Sequence, residues 1–279
     1  MQKNKLVDSI LFKPVFFNKR KLAKQLTGKT ILITGASSGI GEQLTYVLGD
    51  FHCHLILVAR RGEKLSEVKK AVERKCATVS IFPTDLRNQD EMKELINYLL
   101  SLPHGLDIVI SNAGLSIKRS IYDSLDRFHD FSRTMAINYF APVQLLLSLI
   151  PLLQKTQGKI INVSTINAML APVPNFAAYQ ASKSSIDVWL RSVSPELRKE
   201  GITTTSIYLP LVKTPMILPT EAYRHMPALS ANYAAKIICK SIYLKKKTVK
   251  PWWLIFGQIL SLFMTNLWDV SNFNRKKRR

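Results

Sequence analysis

The sequence predicts an α/β fold in which one doubly wound parallel sheet carries helices on both faces. Two observations predict it: short runs that are apolar throughout recur along the chain, and longer amphipathic patterns with helical spacing separate them. Strands that are apolar on both faces are typical of a parallel sheet covered on both sides. With 279 residues, 47% hydrophobic and 21% charged, the composition excludes collagen, coiled-coil, disordered and disulfide-scaffold proteins.

Six strands and five helices follow in order from residue 30. The apolar runs predict strands at residues 30–34, 54–59, 78–83, 108–111, 159–164 and 203–209. The amphipathic patterns between them predict helices at residues 40–48, 63–75, 89–102, 128–153 and 178–200. Ligands of such a sheet bind at the carboxyl ends of its strands, so the segments that follow the strands are expected to form the functional site.

One domain accounts for most of the chain. We find no internal repeat and no flexible linker between residues 28 and 250, and we interpret this range as a single domain. Residues 1–27 precede it as a basic amphipathic extension. Residues 251–279 follow it as an apolar and then polybasic segment.

A glycine-rich turn, TGASSGIG at residues 34–41, joins the first predicted strand to the first predicted helix. Gly35 permits the tight turn, Gly39 lets the backbone approach a pyrophosphate, and Gly41 allows the helix to pack closely on the sheet. This context of strand, turn and helix is what dinucleotide binding by a Rossmann-type fold requires. The remaining residues expected to contact the dinucleotide in this turn are Ser37, Ser38 and Ile40.

The end of the second predicted strand indicates which dinucleotide is bound. An acidic residue there would accept hydrogen bonds from the ribose hydroxyls of NAD and repel a 2′-phosphate. This sequence instead has Ala59, Arg60 and Arg61. NADP is therefore the expected cofactor, with Arg60 as the candidate phosphate ligand; for Arg61, a role as an ordinary solvated residue stays open.

A tyrosine and a lysine four residues apart, Tyr179 and Lys183, lie on one face of a predicted helix. A tyrosine of ordinary pKa near 10 is a poor proton donor or acceptor at neutral pH, and an adjacent ammonium group is expected to lower that pKa. Together with the glycine turn and the SNAG segment at residues 111–114, the YQASK segment at 179–183 resembles the short-chain dehydrogenase/reductase family. The resemblance covers about residues 28–240 and implies a catalytic role for this pair.

The resemblance also implies further catalytic residues. Asn138, in the segment MAINYF, matches the helix asparagine that supports a water and proton path to the lysine. A serine after the fifth strand normally donates a hydrogen bond to the substrate carbonyl, and the segment INVSTINA places Thr165 at that position with Ser164 before it. Threonine keeps the hydroxyl donor but has a more restricted rotamer. Thr165 is preferred here, and Ser164 is the other candidate.

Further cofactor contacts follow from the same resemblance. Asp85 and Leu86 match the pair that contacts adenine, and Asn112, Ala113 and Gly114 line the central part of the cofactor. After the sixth strand the family usually has a Pro-Gly turn, whereas this chain has PLVKTPM at residues 210–216 without the glycine. The resemblance places the Val212 backbone at the nicotinamide carboxamide and Thr214 near the phosphates.

A narrower resemblance concerns the substrate. Three stretches are similar to bacterial fatty acyl-CoA reductases of this family, which form fatty aldehydes with NADPH: SIFPTDL, RSIYDSLDRFHDFSRTMAINYF and SIYLPLVKTPMILPTEAYRHMPAL. The resemblance implies reduction of a long-chain acyl-CoA, with a substrate lid at about residues 215–235. A hydrophobic ketone, 3-oxoacyl or alcohol substrate would use the same residues, and a membrane-bound NADP-binding scaffold with little chemistry is a further alternative.

Positive charge is concentrated at the two ends of the chain. Residues 1–29 contain eight basic residues and one acidic residue, and residues 236–279 contain eleven and one, while the whole chain has a formal charge of +21. Both ends also contain apolar residues. Apolar bulk beside cationic charge favours an anionic membrane surface, and nucleic acid is not expected as a partner because no nucleic-acid-binding fold is recognisable.

The uncharged run at residues 251–268 has 18 residues, near the lower limit for crossing a bilayer. Basic residues on both flanks give no preferred orientation. We expect this segment to lie at the membrane interface or to insert partly. A true span and a helix packed on the protein beside the substrate cleft are the alternatives.

The cysteines and the N-terminus bear on localisation. Cys53, Cys76 and Cys239 form no CxxC pair and are odd in number, so neither a disulfide framework nor a metal site is expected. The apolar stretch near the N-terminus contains Lys13 and Pro14 and lacks a cleavage site of small residues, so no signal peptide is expected. The expected location is the cytoplasm, with peripheral membrane association through the C-terminal segment. The family resemblance also allows a homo-oligomer.

Overall fold

A seven-stranded parallel sheet forms the centre of the protein. The computed structural model describes residues 11–218, 220, 223 and 226–261. Its strands are Lys29–Thr34 (β1), Cys53–Ala59 (β2), Thr78–Pro83 (β3), Ile108–Ser111 (β4), Lys159–Thr165 (β5), Thr203–Leu209 (β6), Val212–Lys213 (β7), Leu229–Ser230 (β8) and Thr248–Val249 (β9). The sheet has the order β3-β2-β1-β4-β5-β6-β9, and β7 pairs separately with β8. All pairs are parallel, so the carboxyl ends of the strands meet at one edge.

Helices cover both faces of the sheet. They are Lys19–Leu26 (α1), Gly39–Leu48 (α2), Gly62–Val72 (α3), Gln89–Leu100 (α4), Phe128–Met135 (α5), Ala141–Thr156 (α6), Ala177–Lys199 (α7) and Ala231–Tyr243 (α8). The apolar sides of α1, α2, α3 and α8 form one core layer with the sheet. Those of α4, α6 and α7 form the other. Burial of aliphatic side chains in these two layers is the main stabilising contribution.

The predicted α/β fold is confirmed, with each of the six predicted strands within one residue of its observed bounds. Helices α1 and α8 and the short strands β7, β8 and β9 were not predicted, and the helix predicted at residues 128–153 is divided into α5 and α6. Helix α8 begins inside the range expected to form the lid, and β9 adds a seventh strand beside β6. The reason is packing: Ala234, Ile238 and Ile242 of α8 are buried against the core, so this helix covers the sheet and not the cleft. Residues 219, 221, 222, 224 and 225 of the expected lid lie outside the described residues.

The longest helical segment, Phe128–Thr156, consists of α5, a π-helical turn at Ala136–Phe140 and α6. Within the described part of the chain it is the segment long and apolar enough to cross a membrane. Leu145, Leu149 and Leu153 on this helix are nevertheless buried against the sheet. Its hydrophobicity is therefore explained by its place in the core.

The amine of Lys159, at the start of β5, connects the C-terminal end of α8 to the sheet. It donates hydrogen bonds to the carbonyl oxygens of Ser241 at 2.6 Å, Ile242 at 3.1 Å and Leu244 at 2.8 Å. These carbonyls belong to the C-terminal end of α8, where cations are favoured. Burial lowers the pKa of Lys159 to about 8.

The C-terminal segment packs beside the loop that follows β5. Residues 254–261 are helical, and Gln258 donates a hydrogen bond to the Met169 carbonyl at 3.1 Å. Trp253 donates its indole N–H to the Leu11 carbonyl at 3.2 Å, so the two ends of the described chain meet here. Residues 262–279 and 1–10 lie outside the described residues, and they include the second part of the predicted membrane segment.

Candidate active site

A cleft of about 570 Å³ opens at the carboxyl edge of the sheet. The glycine turn after β1 forms its floor. Gly35 and Gly39 have φ values of +70° and +61°, a backbone conformation that favours glycine. A Cβ atom on Gly41 would lie 2.4 Å from the Gly35 carbonyl oxygen, so this residue allows α2 to pack against the turn, as predicted.

The turn offers unused donors to an anion. The side chain of Ser38, which precedes α2, makes no capping hydrogen bond. It therefore leaves the first N–H groups of α2 available to another acceptor. The side chain of Thr214 closes this part of the cleft, since a Cβ on Gly39 would approach its Cγ2 to 3.0 Å. Ser37, Ser38 and Ile40 line the cleft here. These features fit the pyrophosphate of a dinucleotide.

Three arginines lie at the same end of the cleft. Arg60, Arg61 and Arg87 all line it. Arg61 Nη2 donates to the hydroxyl of Ser38 at 2.9 Å, so its guanidinium lies against the glycine turn. Arg60 was predicted as a phosphate ligand and the role of Arg61 was open, whereas Arg87 was not predicted. A cluster of basic residues directly after β2 and β3 is the signal that could have identified all three.

Only one residue of the pair predicted to contact adenine lines the cleft. Leu86 lines the cleft, whereas Asp85 does not. Arg87 binds the Asp85 carboxylate through Nε at 3.0 Å and Nη2 at 2.6 Å. The hydrogen bond from Arg87 lowers the pKa of Asp85 below its usual range. The carboxylate is thus neutralised by its neighbour and offers little repulsion to a phosphate.

The segment after β4 holds the glycine turn in place. The side-chain amide of Asn112 donates to the Thr34 carbonyl at 2.9 Å, and the backbone N–H groups of Asn112 and Ala113 donate to the Thr34 hydroxyl at 3.0 Å. Asn112, Ala113 and Gly114 line the cleft as predicted, and so does Val212 after β6. Asn112 therefore both lines the site and fixes its shape.

Tyr179 and Lys183, one turn apart on α7, both face the cleft. The buried amine of Lys183 donates to the Val163 carbonyl at 3.2 Å. Burial lowers the pKa of Lys183 to about 8. Burial also raises the pKa of Tyr179, while the nearby Thr165 hydroxyl acts in the opposite sense. The net direction is upward, and not downward as expected, because desolvation outweighs the hydrogen bond with Thr165.

Both candidate carbonyl donors are at the end of β5 and line the cleft. Thr165 lies near the Tyr179 hydroxyl, and it also accepts a hydrogen bond from the Asn167 N–H at 3.3 Å. The Ser164 hydroxyl is buried and has no hydrogen-bond partner among the described residues. Either hydroxyl can donate to a substrate oxygen, so the geometry keeps both candidates.

Asn138 is buried next to the site and holds two of its segments together. It lies in the π-helical turn, is 1% exposed and does not line the cleft. Its side chain accepts from the Leu115 N–H at 2.8 Å and donates to the Leu115 carbonyl at 2.8 Å and to the Ser182 hydroxyl at 2.9 Å. Asn138 therefore joins α7 to the segment after β4.

The other end of the cleft is apolar and aromatic. Phe176 stacks on Tyr223 with ring centroids 6.2 Å apart and meets the edge of Tyr179 at 6.5 Å. Burial raises the pKa of Tyr223 to about 12, so it stays neutral. The aliphatic residues of this wall are Ile166, Val173, Leu211, Met216, Ile217 and Met226. A hydrophobic substrate would fit beside the tyrosine.

Comparison with known proteins identifies a matching family and similar proteins. The sequence model of the family described as short chain dehydrogenase matches residues 29–224. A fatty acyl-CoA reductase of Acinetobacter baylyi is 41% identical over 250 residues, covering 89% of this chain and 83% of that protein. A fatty acyl-CoA reductase of Mycobacterium tuberculosis is 41% identical over 227 residues, covering 81% of this chain and 77% of that protein.

A solved structure supports the fold. The crystal structure of L-sorbose reductase from Gluconobacter frateurii, complexed with NADPH and L-sorbose, superposes with a TM-score of 0.72 at 22% sequence identity. The match covers 81% of this chain and 95% of that one.

Replacing Lys183 by methionine is expected to stabilise the fold at pH 7 by on the order of 1–3 kcal/mol, because the wild type must hold a cation in a desolvated site. Between pH 8 and 10.5 the native chain loses this proton while the unfolded chain keeps it. The wild type therefore gains stability as pH rises, and the difference between the two proteins shrinks. Urea unfolding at pH 7 and pH 9.5 measures it.

The matched control is Lys199→Met, at an exposed position on the same helix, which should change stability by less than about 0.5 kcal/mol at either pH. An equal loss of stability at both pH values in Lys183→Met would contradict the assignment of a strained buried cation.

Proposed function

Because the chain belongs to the short-chain dehydrogenase/reductase family of oxidoreductases, we propose that it reduces a long-chain acyl-CoA thioester to a fatty aldehyde with NADPH. The observation that carries the proposal is the apolar wall of the cleft, which continues directly from Tyr179 through Phe176 and Tyr223. The 41% identity to two proteins named fatty acyl-CoA reductase supports the thioester as the reacting group.

The residues at the glycine turn support NADP as the cofactor. Arg60 and Arg61 follow β2 where an NAD-binding site would carry an acidic residue, and Arg87 adds a third guanidinium. Asp85, which follows β3, is paired with Arg87. The solved structure of L-sorbose reductase contains NADPH. These groups would hold the 2′-phosphate, and the free N–H groups at the start of α2 would hold the pyrophosphate.

The protein groups have separate tasks in the reaction. Bound in the cleft, NADPH would supply the hydride that adds to the thioester carbon. The C–S bond of the adduct then breaks and its hydroxyl proton passes to sulfur, which releases the thiol and leaves the aldehyde. Tyr179 donates a hydrogen bond and then its proton to the carbonyl oxygen, and Thr165 donates the second hydrogen bond, with Ser164 as the other candidate. Both bonds strengthen as the oxygen gains negative charge, which is where binding accelerates a reaction.

Lys183 and Asn138 act behind Tyr179. The Lys183 ammonium, below a pKa of about 8, would return a proton towards the tyrosine hydroxyl after each turnover. Asn138 holds Ser182, one residue before Lys183, and the Leu115 backbone in place. We propose that it keeps the path between solvent and the lysine open.

The proposal is tested by following NADPH consumption with a long-chain acyl-CoA in detergent, with free thiol and aldehyde measured in the same reaction. Thiol and aldehyde should appear in equal amounts. If NADPH binds but no thiol appears, a hydrophobic ketone, 3-oxoacyl or alcohol substrate replaces the thioester. If no carbonyl substrate turns over, the non-catalytic scaffold becomes the better description.

In that assay Tyr179→Phe is expected to lower kcat by about 10³-fold while the Kd for NADPH changes less than about threefold. Thr165→Val should lower kcat by about 10²-fold and Ser164→Ala by much less, because one oxyanion donor contributes on this scale. The reverse order would assign the donor role to Ser164. Full activity of Tyr179→Phe would exclude the catalytic assignment.

Cofactor preference gives an independent prediction. Arg60→Ala and Arg61→Ala should each raise KM for NADPH about tenfold and leave KM for NADH nearly unchanged, because hydrogen bonds to charged groups contribute about 1.5–3 kcal/mol. Lys64→Ala on α3 is the control, since this exposed lysine pairs with Glu67 and does not line the cleft. Equal effects on both cofactors would show that these arginines do not read the 2′-phosphate.

We also propose that this protein associates with the surface of an anionic membrane from the cytoplasm. The outer side of helical residues 254–261 exposes Ile255, Phe256, Ile259 and Leu260, each more than half exposed. Trp252 precedes them and lies 5.6 Å from the Lys13 amine. An exposed apolar face beside clustered basic residues favours lipid headgroups and the acyl boundary below them.

Full-length protein should therefore co-sediment with vesicles containing phosphatidylserine, and added salt should weaken this binding. The double substitution Phe256→Ser and Ile259→Ser should weaken it at least about tenfold, because two apolar side chains no longer leave water. Leu100→Ser, an exposed position at the end of α4, should bind as the wild type. Undiminished vesicle binding by the double variant would contradict this surface assignment.

A further inference from the structure

One buried carboxylate on the rim of the cleft is surrounded by three arginines. Asp130, on α5, is 1% exposed. Its Oδ2 atom lies 3.0 Å from Arg119 Nε and 3.2 Å from Arg127 Nε, and its Oδ1 atom lies 2.8 Å from Arg133 Nη2. Burial alone raises the pKa of Asp130, but the arginines outweigh it and the net direction is downward. The carboxylate is therefore ionised at neutral pH.

The positive charge of the cluster formed by Arg119, Arg127 and Arg133 exceeds the negative charge of Asp130. One carboxylate balances one guanidinium, which leaves an excess of two positive charges. The three side chains are between 34% and 43% exposed. The side chains of Arg119 and Arg127 donate hydrogen bonds through Nε alone. Their terminal NH₂ groups have no acceptor among the described residues. Three like charges held together in this way favour an anion.

The position of the arginine cluster relates it to the substrate. Arg133 itself lines the cleft. The backbone N–H of Arg119 donates to the Asn175 carbonyl at 2.8 Å, which joins the segment after β4 to the loop that carries Phe176 of the apolar wall. The cluster thus borders the wall that would hold the substrate. Arg60, Arg61 and Arg87 form a separate group at the glycine turn.

We propose that the arginine cluster binds the phosphate groups of the coenzyme A portion of the substrate, and this inference rests on the proposed function. Guanidinium groups match phosphate oxygens with paired hydrogen bonds, and Asp130 holds two of them, Arg119 and Arg127, through their Nε atoms before the ligand arrives. A pantetheine arm separates the thioester of an acyl-CoA from its phosphates. This substrate class therefore needs an anion site on the border of the cleft as well as a site for the thioester.

The test compares two thioesters that carry the same acyl chain, acyl-CoA and acyl-pantetheine, which lacks the nucleotide phosphates. Arg119→Gln and Arg127→Gln each leave two arginines on Asp130. Each should raise KM for acyl-CoA about tenfold, change kcat/KM for acyl-pantetheine less than twofold and leave the Kd for NADPH unchanged. Arg198→Gln, at an exposed position near the end of α7, is the matched control and should change none of these values.

The outcomes separate this inference from the proposed function. If thioesters are reduced but the variants affect both substrates equally or neither, the coenzyme A subsite is wrong while the reductase activity stands. A weaker Kd for NADPH instead would assign the cluster to the cofactor and overturn the inference. If no thioester is reduced, calorimetric binding of free coenzyme A decides: binding that weakens about tenfold in the variants supports the subsite, and unchanged or absent binding overturns it. Loss of vesicle binding alone would assign the cluster to lipid headgroups and also overturn it.

Discussion

The close contact between the glycine turn and the segment after β4 determines the geometry of the whole cleft. A Cβ atom on Gly35 would lie 2.9 Å from Ala113 Cα, and one on Gly41 would meet the Gly35 carbonyl at 2.4 Å, so larger residues cannot bring these backbones together. Asn112 then joins the two segments through hydrogen bonds to Thr34 and Gly35. The segment after β4 continues to Leu115, where Asn138 fixes it to α7 and thereby to Tyr179 and Lys183. A single chain of contacts thus sets the distance between the anion-binding turn and the candidate catalytic hydroxyls.

Charge is distributed along the cleft in a consistent way. The centre is desolvated, and burial shifts the pKa of Lys183 downward and that of Tyr179 upward, so both favour their neutral forms more than they would in water. Arginine groups lie at the glycine turn and on the rim of the cleft, and Asp85 and Asp130 balance only part of their charge. The end of the cleft away from the glycine turn is an apolar wall that includes an uncharged tyrosine. A substrate with an anionic carrier and a long apolar chain matches this distribution better than a small polar one.

Residues near the two ends of the described chain pack against the core and hydrogen-bond to each other. Leu22 and Leu26 of α1 are fully buried, and the Tyr243 hydroxyl of α8 accepts a hydrogen bond from the Asn18 N–H at 3.0 Å. Tyr233 of α8 hydrogen-bonds the Lys13 carbonyl. The basic and apolar N-terminal residues are therefore held next to residues 252–261, beside the loop that borders the substrate wall. The residues proposed to contact a membrane therefore lie where the two ends of the described chain meet.

Six strands, the glycine turn and the pair of Tyr179 and Lys183 could be read from the sequence, because each depends on local periodicity or on spacing within one helix. The tertiary structure decided what depends on neighbours distant in the chain. It placed α8 on the sheet and not over the cleft, since only the folded sheet offers the surface that buries Ala234 and Ile238. It paired Asp85 with Arg87, turned Arg61 onto Ser38 and gathered three arginines around Asp130. It also reversed the expected pKa shift of Tyr179, because desolvation is a property of the assembled site and has no signature in residue spacing.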